Sequence, residues 1–399
     1  MLQVFNVDRS LICIIKIGGY IMRMLIVGVG GVGESILKIL KERDPDAKWL
    51  EQVVCADYHL DRAKEVVEKL NDTARFIPEQ VDAKNRDEIV ELIKKYSCDF
   101  VMDAAAPFVS NNIFDAAYEG GANYVSMGTW TVPKTDPDEC YGIGKDCFHE
   151  FMGDYNFDRS KKWAEKGLLG IIALGIDPGV VDVFSKFAAE YLFDEIHEIH
   201  VKDGNNLQVP GADEDSVVFG FNVWTVLDEC LNPNVEWDKE KGFIIDRPFA
   251  GEETFEFPGG VGVNRLVKVE HEEVVTMPRY LEKYGLKKCT FKIALDDNLI
   301  NALKAVEALG LRSLEPINVA GKEVIPRDVV AAAAPQPTDI GDEMVGKMCV
   351  GIHCIGIKDG KKREVFMYQE TDNEDTVKRL DMQAVVAQTG FGAAIGIEM

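Results

Sequence analysis

Leu25-Ile-Val-Gly28-Val-Gly30-Gly31-Val32-Gly33, followed by Glu34-Ser-Ile-Leu-Lys-Ile-Leu40, sets an apolar strand, a glycine turn and a helix start in immediate succession. Gly28 permits the tight turn, Gly30 lets the backbone approach a pyrophosphate, and Gly33 lets the helix pack close to the strand. The N–H groups that open the helix, from Gly31 and Val32 onward, then face the anion. A glycine pattern alone is weak. Context strengthens it here: an apolar strand before, a helix of 3.6-residue period after, and a second strand, Gln52 to Ala56, that ends in Asp57. Asp57 lies 24 residues past Gly33, where an acid takes ribose hydroxyls; the competing reading is a cap for the helix starting near Leu60. Its carboxylate would repel a 2′-phosphate, so NAD is expected, while Arg62 and Lys64 nearby keep NADP open.

At 399 residues the chain is long enough for two or three domains. Hydrophobic residues at 46% and charged residues at 28% describe a soluble globular protein without low-complexity tracts. A net charge of −24 argues against a nucleic-acid partner, whose phosphates would be repelled. Nine cysteines, an odd number scattered through apolar runs, read as reduced thiols in the cytoplasm. Cys140 and Cys147 could be sketched as a metal or redox pair, yet no second ligand pair with zinc-like spacing follows, so no metal is expected. The run Leu11 to Ile15 is too short and interrupted to span a membrane, and residues 1–22 read as an N-terminal extension. Met22 and Met24 leave the translation start open.

Strands and helices keep alternating beyond Asp57. The pattern predicts a helix through Arg62 to Leu70, a strand at Ala74 to Ile77, a helix from Asp87 to Tyr96 and a buried strand from Phe100 to Ala106. A helix from Asn112 to Glu119 and a strand at Asn123 to Ser126 follow. Such alternation implies a doubly wound parallel sheet, in a Rossmann domain expected over 23–178. Ligands bind at the carboxyl ends of these strands. That rule puts Asp82 and Ala83 beside an adenine, Ala104, Ala105, Ala106 and Pro107 beside the nicotinamide ribose, and Met127 and Gly128 at the next strand end. A helix from Asp158 to Lys166, a strand from Gly170 to Gly175 and an apolar helix from Val180 to Tyr191 are also expected. Residues 195 to 285 read as short alternating strands and 298 to 310 as a helix, giving a second, α+β domain over 179–375. The apolar segment 376–399 is expected to fold back as a helix on the Rossmann domain.

Taken in order, the stretches Gly28 to Gly33, Asp103-Ala-Ala-Ala-Pro-Phe108, Gly175-Ile-Asp177-Pro-Gly179, Trp224-Thr225, Glu229-Cys-Leu-Asn-Pro233, Val269-Glu-His271-Glu-Glu-Val-Val-Thr276 and Leu314-Glu-Pro316 resemble the saccharopine dehydrogenase family of amino-acid oxidoreductases. That family includes the carboxynorspermidine dehydrogenases. The resemblance covers 24 to 399, and the Trp224 and His271 segments look more like bacterial saccharopine dehydrogenase homologues. Many relatives continue past the position of Gly396, so a terminal helix or dimer contact is expected to be missing. The resemblance implies a homodimer, and an enzyme exchanging hydride between nicotinamide and the C–N bond of a secondary amine or imine. Saccharopine-type substrates come first, with carboxynorspermidine and direct lysine oxidation behind.

A substrate rich in carboxylates needs fixed cations, which makes Arg247, Arg279, Arg265 and Lys268 candidates, with Trp224 and Thr225 in the substrate loop. Asp177 could approach the substrate amine or cap the helix near Gly179. His271 could bind a carboxylate or shuttle a proton, against the competing reading of a solvent-facing strand histidine. A protein that binds a dinucleotide without turnover is the alternative from another class.

Overall fold

The structure is a computed structural model that describes residues 3–6, 21–134, 141–213, 215–337 and 343–399. Cys13, most of the expected N-terminal extension and Cys140 lie outside the described residues. The chain forms two compact units. One draws on Asp8–Val132, Glu150–Val180 and Val386–Met399, the other on Met1–Val7, Pro133–His149 and Val181–Val385. The described residues 133–134 and 141–149 therefore belong with the second unit.

The first unit is built on six parallel strands: β1 (Met22–Val27), β2 (Leu50–Asp57), β3 (Phe76–Gln80), β4 (Phe100–Asp103), β5 (Asn123–Ser126) and β6 (Gly170–Ile171). Their order across the sheet is β6-β5-β4-β1-β2-β3. The helices are α1 (Gly31–Arg43), α2 (Leu60–Leu70), α3 (Arg86–Tyr96) and α4 (Ser110–Gly120). Apolar residues fill both faces of each central strand because both faces are covered. Met24 and Ile26 of β1 join one core with α1 and α2, while Leu25 and Val27 join the opposite core with α3 and α4. This is the expected doubly wound fold. Strand order reverses between β1 and β4, which opens a crevice at their carboxyl ends.

Three expected elements differ in length. The strand from Phe100 stops at Asp103 because Asp103 Oδ1 captures the N–H of Ala105 at 3.1 Å and turns the chain out of the ladder. The strand from Gly170 is only two residues long. The helix from Val180 ends at Phe187 and continues as a wider π-type turn, Ala188–Leu192.

In the second unit an eight-stranded mixed sheet carries β7 (Glu195–Asn205), β8 (Asn234–Asp238), β9 (Gly242–Asp246), β12 (Lys288–Ile293), β13 (Lys347–Lys358) and β14 (Lys361–Asp372). A separate hairpin, β10 (Glu253–Phe257) with β11 (Gly262–Leu266), packs Phe257 and Leu266 into a core with Phe366. The span from 195 to 285 also holds two helices where strands are expected: α5 (Val223–Leu231) and α6 (Glu273–Leu281). Asn222 starts α5 by accepting the N–H of Thr225 at 3.2 Å, a cap easily taken for a turn. Pro278 inside α6 disguises that helix in the sequence. Among the described residues no helix is long and apolar enough to cross a membrane, and the seven cysteines described are buried.

The last helix, α7 (Ala384–Glu398), lies in the first unit from Val386 on. Its small residues permit close packing: a Cβ on Gly390 would stand 2.1 Å from Ser35 Oγ, and one on Gly392 2.0 Å from the carbonyl oxygen of Gly175. Gly392→Ala should therefore lower stability by about 1–3 kcal/mol, the usual range for overpacking. A denaturant midpoint equal to that of the parent would show that α7 does not press on the Gly175 loop.

Candidate functional site

The crevice of the parallel-sheet unit is shaped by three glycines under different constraints. Gly28 has φ +93°, and a Cβ there would meet the carbonyl oxygen of Ala104 at 2.6 Å, so both conformation and space require glycine. A Cβ on Gly33 would stand 2.2 Å from the carbonyl oxygen of Gly28. Gly30 is different. Its φ of −63° lies outside the left-handed region that favours glycine, and a Cβ there meets no described atom within 4 Å. Neither backbone strain nor protein packing requires glycine at this position. Gly30 immediately precedes α1, whose first-turn N–H groups, including those of Gly31 and Val32, have no partners within the helix.

Asp57 ends β2 beside this turn. Its carboxylate accepts the N–H of Val29 at 3.0 Å and that of His59 at 2.9 Å. The cap residue of α2 is His59, not Asp57. Arg62 Nε donates to the carbonyl oxygen of Val29 at 3.0 Å, and its guanidinium pairs with Glu34 at 2.5 Å and Glu65 at 3.2 Å. Burial alone would raise the Glu34 carboxyl, but Lys38 and Arg62 outweigh it and hold the group below its ordinary range. The charge of Arg62 is thus already matched. Lys64 is exposed, 3.5 Å from Asp61.

The remaining expected positions also sit at strand ends. Asp82 Oδ1 accepts the N–H of Lys84 at 2.9 Å, and the carbonyl oxygen of Ala83 accepts Asn112 Nδ2 at 2.7 Å. Ala104 donates its N–H to Val27 at 2.9 Å, and Pro107 opens a short 3-10 turn, Pro107–Val109, leading into α4. Ala105 and Ala106 lie between these anchors. Ser126 Oγ donates to the carbonyl oxygen of Gly128 at 2.8 Å and fixes the Met127–Gly128 turn. Under this rim Asp103 is buried, accepting the hydroxyl of Tyr124 at 2.8 Å, and burial pushes its carboxyl up to about 6. Asp177 is half-buried in a loop closed by the Gly175 N–H on the Pro178 carbonyl at 2.6 Å.

In the mixed-sheet unit, Trp224 and Thr225 form the first turn of α5. The guanidinium of Arg327 lies 5.7 Å from the centre of a Trp224 ring and pairs with Asp228, whose carboxyl burial pushes up to about 6 against the pull of Arg327. Arg327 is a buried cation that the sequence did not single out, because it sits in an ordinary-looking Pro-Arg-Asp helix start. Arg247 and Arg279 are exposed, the former 4.8 Å over the ring of Tyr141. Arg265 pairs with Glu252 at 3.2 Å and with Asp297, and Lys268 pairs with Glu236 and Asp246 at 2.8 Å each. These two candidate cations are already engaged by protein carboxylates.

His271 is buried rather than solvent-facing, and it precedes α6 instead of lying in a strand. Its Nδ1 is 2.6 Å from Glu273 Oε2, and its ring stacks on Phe291 with centroids 3.7 Å apart and planes 7° from parallel. Two further acids belong to this neighbourhood. Asp203 of β7 is buried and Glu229 of α5 half-buried, and burial raises both carboxyls while His271 pulls them down. Asp203 lies outside every motif quoted from the sequence, and its burial is set by the sheet it belongs to. Among the described residues no group of three or more His, Cys, Asp or Glu is arranged to hold a metal.

Comparison with known proteins accounts for both units. The family of the saccharopine dehydrogenase NADP binding domain matches residues 24–169, and that of the saccharopine dehydrogenase C-terminal domain matches 175–399. Carboxynorspermidine synthase of Vibrio alginolyticus is 28% identical over 381 residues, covering 93% of this chain and 87% of that protein. Carboxyaminopropylagmatine dehydrogenase of Synechocystis is 22% identical over 374 residues, with 94% and 87% covered. Apo saccharopine dehydrogenase (L-Glu forming) from Saccharomyces cerevisiae shares the fold, with a TM-score of 0.61 at 13% identity, covering 94% of this chain and 90% of that one.

Asp103 yields a prediction with a definite sign. Its folded pKa lies above the unfolded value, so the native state holds the proton more tightly and its contribution is lost as pH rises through about 6. Relative to Asp103→Asn, the wild type should lose about 1–3 kcal/mol between pH 4 and pH 7, as raising a carboxyl from its ordinary range to about 6 implies. Parallel stability curves from urea melts across that range would contradict it.

Proposed function

The chain belongs to the saccharopine dehydrogenase family, and on that premise we propose that it is an NAD(P)-dependent dehydrogenase acting on the secondary amine of a carboxylated polyamine, of the carboxynorspermidine kind. The observation that carries the coenzyme half is Gly30, a glycine that neither its backbone angles nor its protein neighbours require. In this reading the N–H groups of Gly31 and Val32 hold the pyrophosphate, Asp57 takes the ribose hydroxyls, and Asp82 and Ala83 border the adenine. Ala104 to Pro107 and Met127-Gly128 border the nicotinamide end. In this reading the Asp57 carboxylate would repel a 2′-phosphate, and Arg62 is already paired with Glu34, which supports NAD.

The substrate half rests on two supports. The relatives aligned over most of this chain are named for carboxynorspermidine and carboxyaminopropylagmatine, both amino acids joined through a secondary amine to a cationic tail. Arg265 and Lys268, which a tricarboxylate such as saccharopine would call on, are engaged elsewhere in the protein. Saccharopine therefore stands second, reversing the order the sequence suggested. When bound, the nicotinamide supplies or accepts a hydride. Reduction gives that hydride to the imine carbon and a proton to the nitrogen; oxidation removes both. The protein has to position the C–N bond, exclude water and handle one proton, a task we give to Asp177. Trp224, Arg247 and Arg279 remain the candidates for the amino-acid end.

Oxidation of carboxynorspermidine should raise absorbance at the NADH band with a kcat/KM at least tenfold above that for saccharopine. Equal or inverted preference would return saccharopine to first place, and silence with every amine and either nucleotide would leave only a binding protein. Asp57→Ala should raise the kcat/KM ratio of NADP over NAD about tenfold or more, since about 1.4 kcal/mol of repulsion is worth that factor; an unchanged ratio would remove Asp57 from the ribose site.

A further inference from the structure

The helix-covered face of the mixed sheet holds an excess of buried acceptors. Val201 and Asp203 of β7 share this face with Cys289 and Phe291 of β12, since β7 pairs in parallel with β12 through Ile199–Cys289 and Val201–Phe291. Helix α6 lies over it, with Cys289 Sγ 3.6 Å from the carbonyl oxygen of Glu273. His271 stacks on Phe291 and bonds Glu273, and the backbone N–H of Glu270 donates to the carbonyl oxygen of Glu229 at 2.9 Å. Asn232, which ends α5, donates Nδ2 to Glu270 Oε2 at 2.7 Å.

Several acceptors here lack a donor. Asp203 Oδ1, Glu273 Oε1 and Asn232 Oδ1 are buried with no hydrogen-bond partner among the described residues, in side chains only 6%, 0% and 2% exposed. Each orphan is an oxygen that needs an N–H or O–H. A buried acceptor without a donor loses its water and gains nothing, and a carboxylate loses more than a neutral amide. The carboxyl end of α5 adds the negative end of its dipole to the same place. The His271 ring works against the rise of both the Asp203 and the Glu229 carboxyls, and its Nδ1 is spent on Glu273. The chemistry that completes such a site is positive and made only of donors. A primary ammonium, with three N–H donors and no acceptor, fits that description, and an alkylammonium chain brings a methylene stem suited to the Phe291 and Val201 surface.

We propose that Asp203, Glu229 and Glu273, with Asn232 and the His271 ring, form the seat of a primary ammonium: the free amine end of the substrate. This rests on the carboxylated-polyamine reading and sharpens it, because carboxynorspermidine carries an isolated terminal amine where saccharopine carries carboxylates. The seat is a specificity device. It rejects a carboxylate tail by repulsion and accepts an amine tail by charge-assisted hydrogen bonds.

Calorimetric titration of norspermidine into the coenzyme-free full-length protein tests the seat without turnover. One tight stoichiometric site is expected in the wild type, weakened at least tenfold in Glu229→Gln and in Asp203→Asn, with saccharopine failing to compete. Two variants are used so that one that misfolds, judged by its melting curve, leaves the other to decide. Glu165→Gln, an exposed acid of the other unit, controls for general attraction to a protein of net charge −24. No saturable binding, or binding equal in wild type and both variants, overturns the proposal. Saturable binding that depends on Glu229 and Asp203, in a protein that oxidises no amine, would keep the ammonium seat and sink the dehydrogenase reading instead.

Discussion

The first unit depends on how closely the start of α1 approaches the carboxyl ends of β1 and β4. With hypothetical Cβ distances of 2.6 Å at Gly28 and 2.2 Å at Gly33, no side chain fits between the turn, Ala104 and the helix. Removing side chains from this corner leaves backbone N–H groups as the surface that a ligand meets. The corner is also held from behind: Asp57 and Arg62 clamp the N–H and the carbonyl of Val29, so the turn is fixed before anything binds. Preorganisation of this kind lets an anion bind without first ordering the loop.

The second unit solves a different electrostatic problem. Its cations are distributed to particular carboxylates: Lys202 and Lys292 to Glu253, whose carboxyl the two lysines hold down at about 2 against burial, Lys268 to Glu236 and Asp246, and Arg327 to Asp228. The lysine pairs neutralise one sheet face, with His353 and Phe255 packed among them, while Arg327 and Asp228 join two helices. The opposite face keeps Asp203, Glu273 and His271 beneath α6. An acidic protein can carry surplus carboxylates on its surface at little expense, but surplus carboxylates inside a fold point to a ligand or a retained proton.

Much of the first unit was legible in the sequence because its signals are local. Each parallel strand is apolar on both faces, each helix repeats every 3.6 residues, and the glycines fall at the turn between β1 and α1. The expected Asp57, Asp82, Ala104 and Gly128 positions follow once strand ends are known, since parallel topology gathers them. The second unit was less readable. The helix α5 begins at an asparagine cap and α6 contains Pro278, so both read as turn-broken strands. His271 stands between glutamates and looks solvated, while its burial is set by Phe291, 20 residues later and on another element. The partners of Arg265 and Lys268 are likewise distant in sequence, and only the fold reveals that those cations are engaged. Charge identity is local information; charge pairing is not.

The central claim is that a dinucleotide phosphate lies against the backbone at Gly30, and one substitution addresses it directly. Gly30→Val introduces a side chain whose Cβ meets no described atom within 4 Å, at a φ of −63° outside the left-handed region that favours glycine, so the fold should be kept, as the melt reports. Measured by NADH fluorescence titration together with a thermal melt, the account predicts an unchanged melting temperature and a coenzyme Kd weakened by at least a hundredfold. A Gly30→Val protein that melts as the parent does and binds NADH as tightly would contradict it.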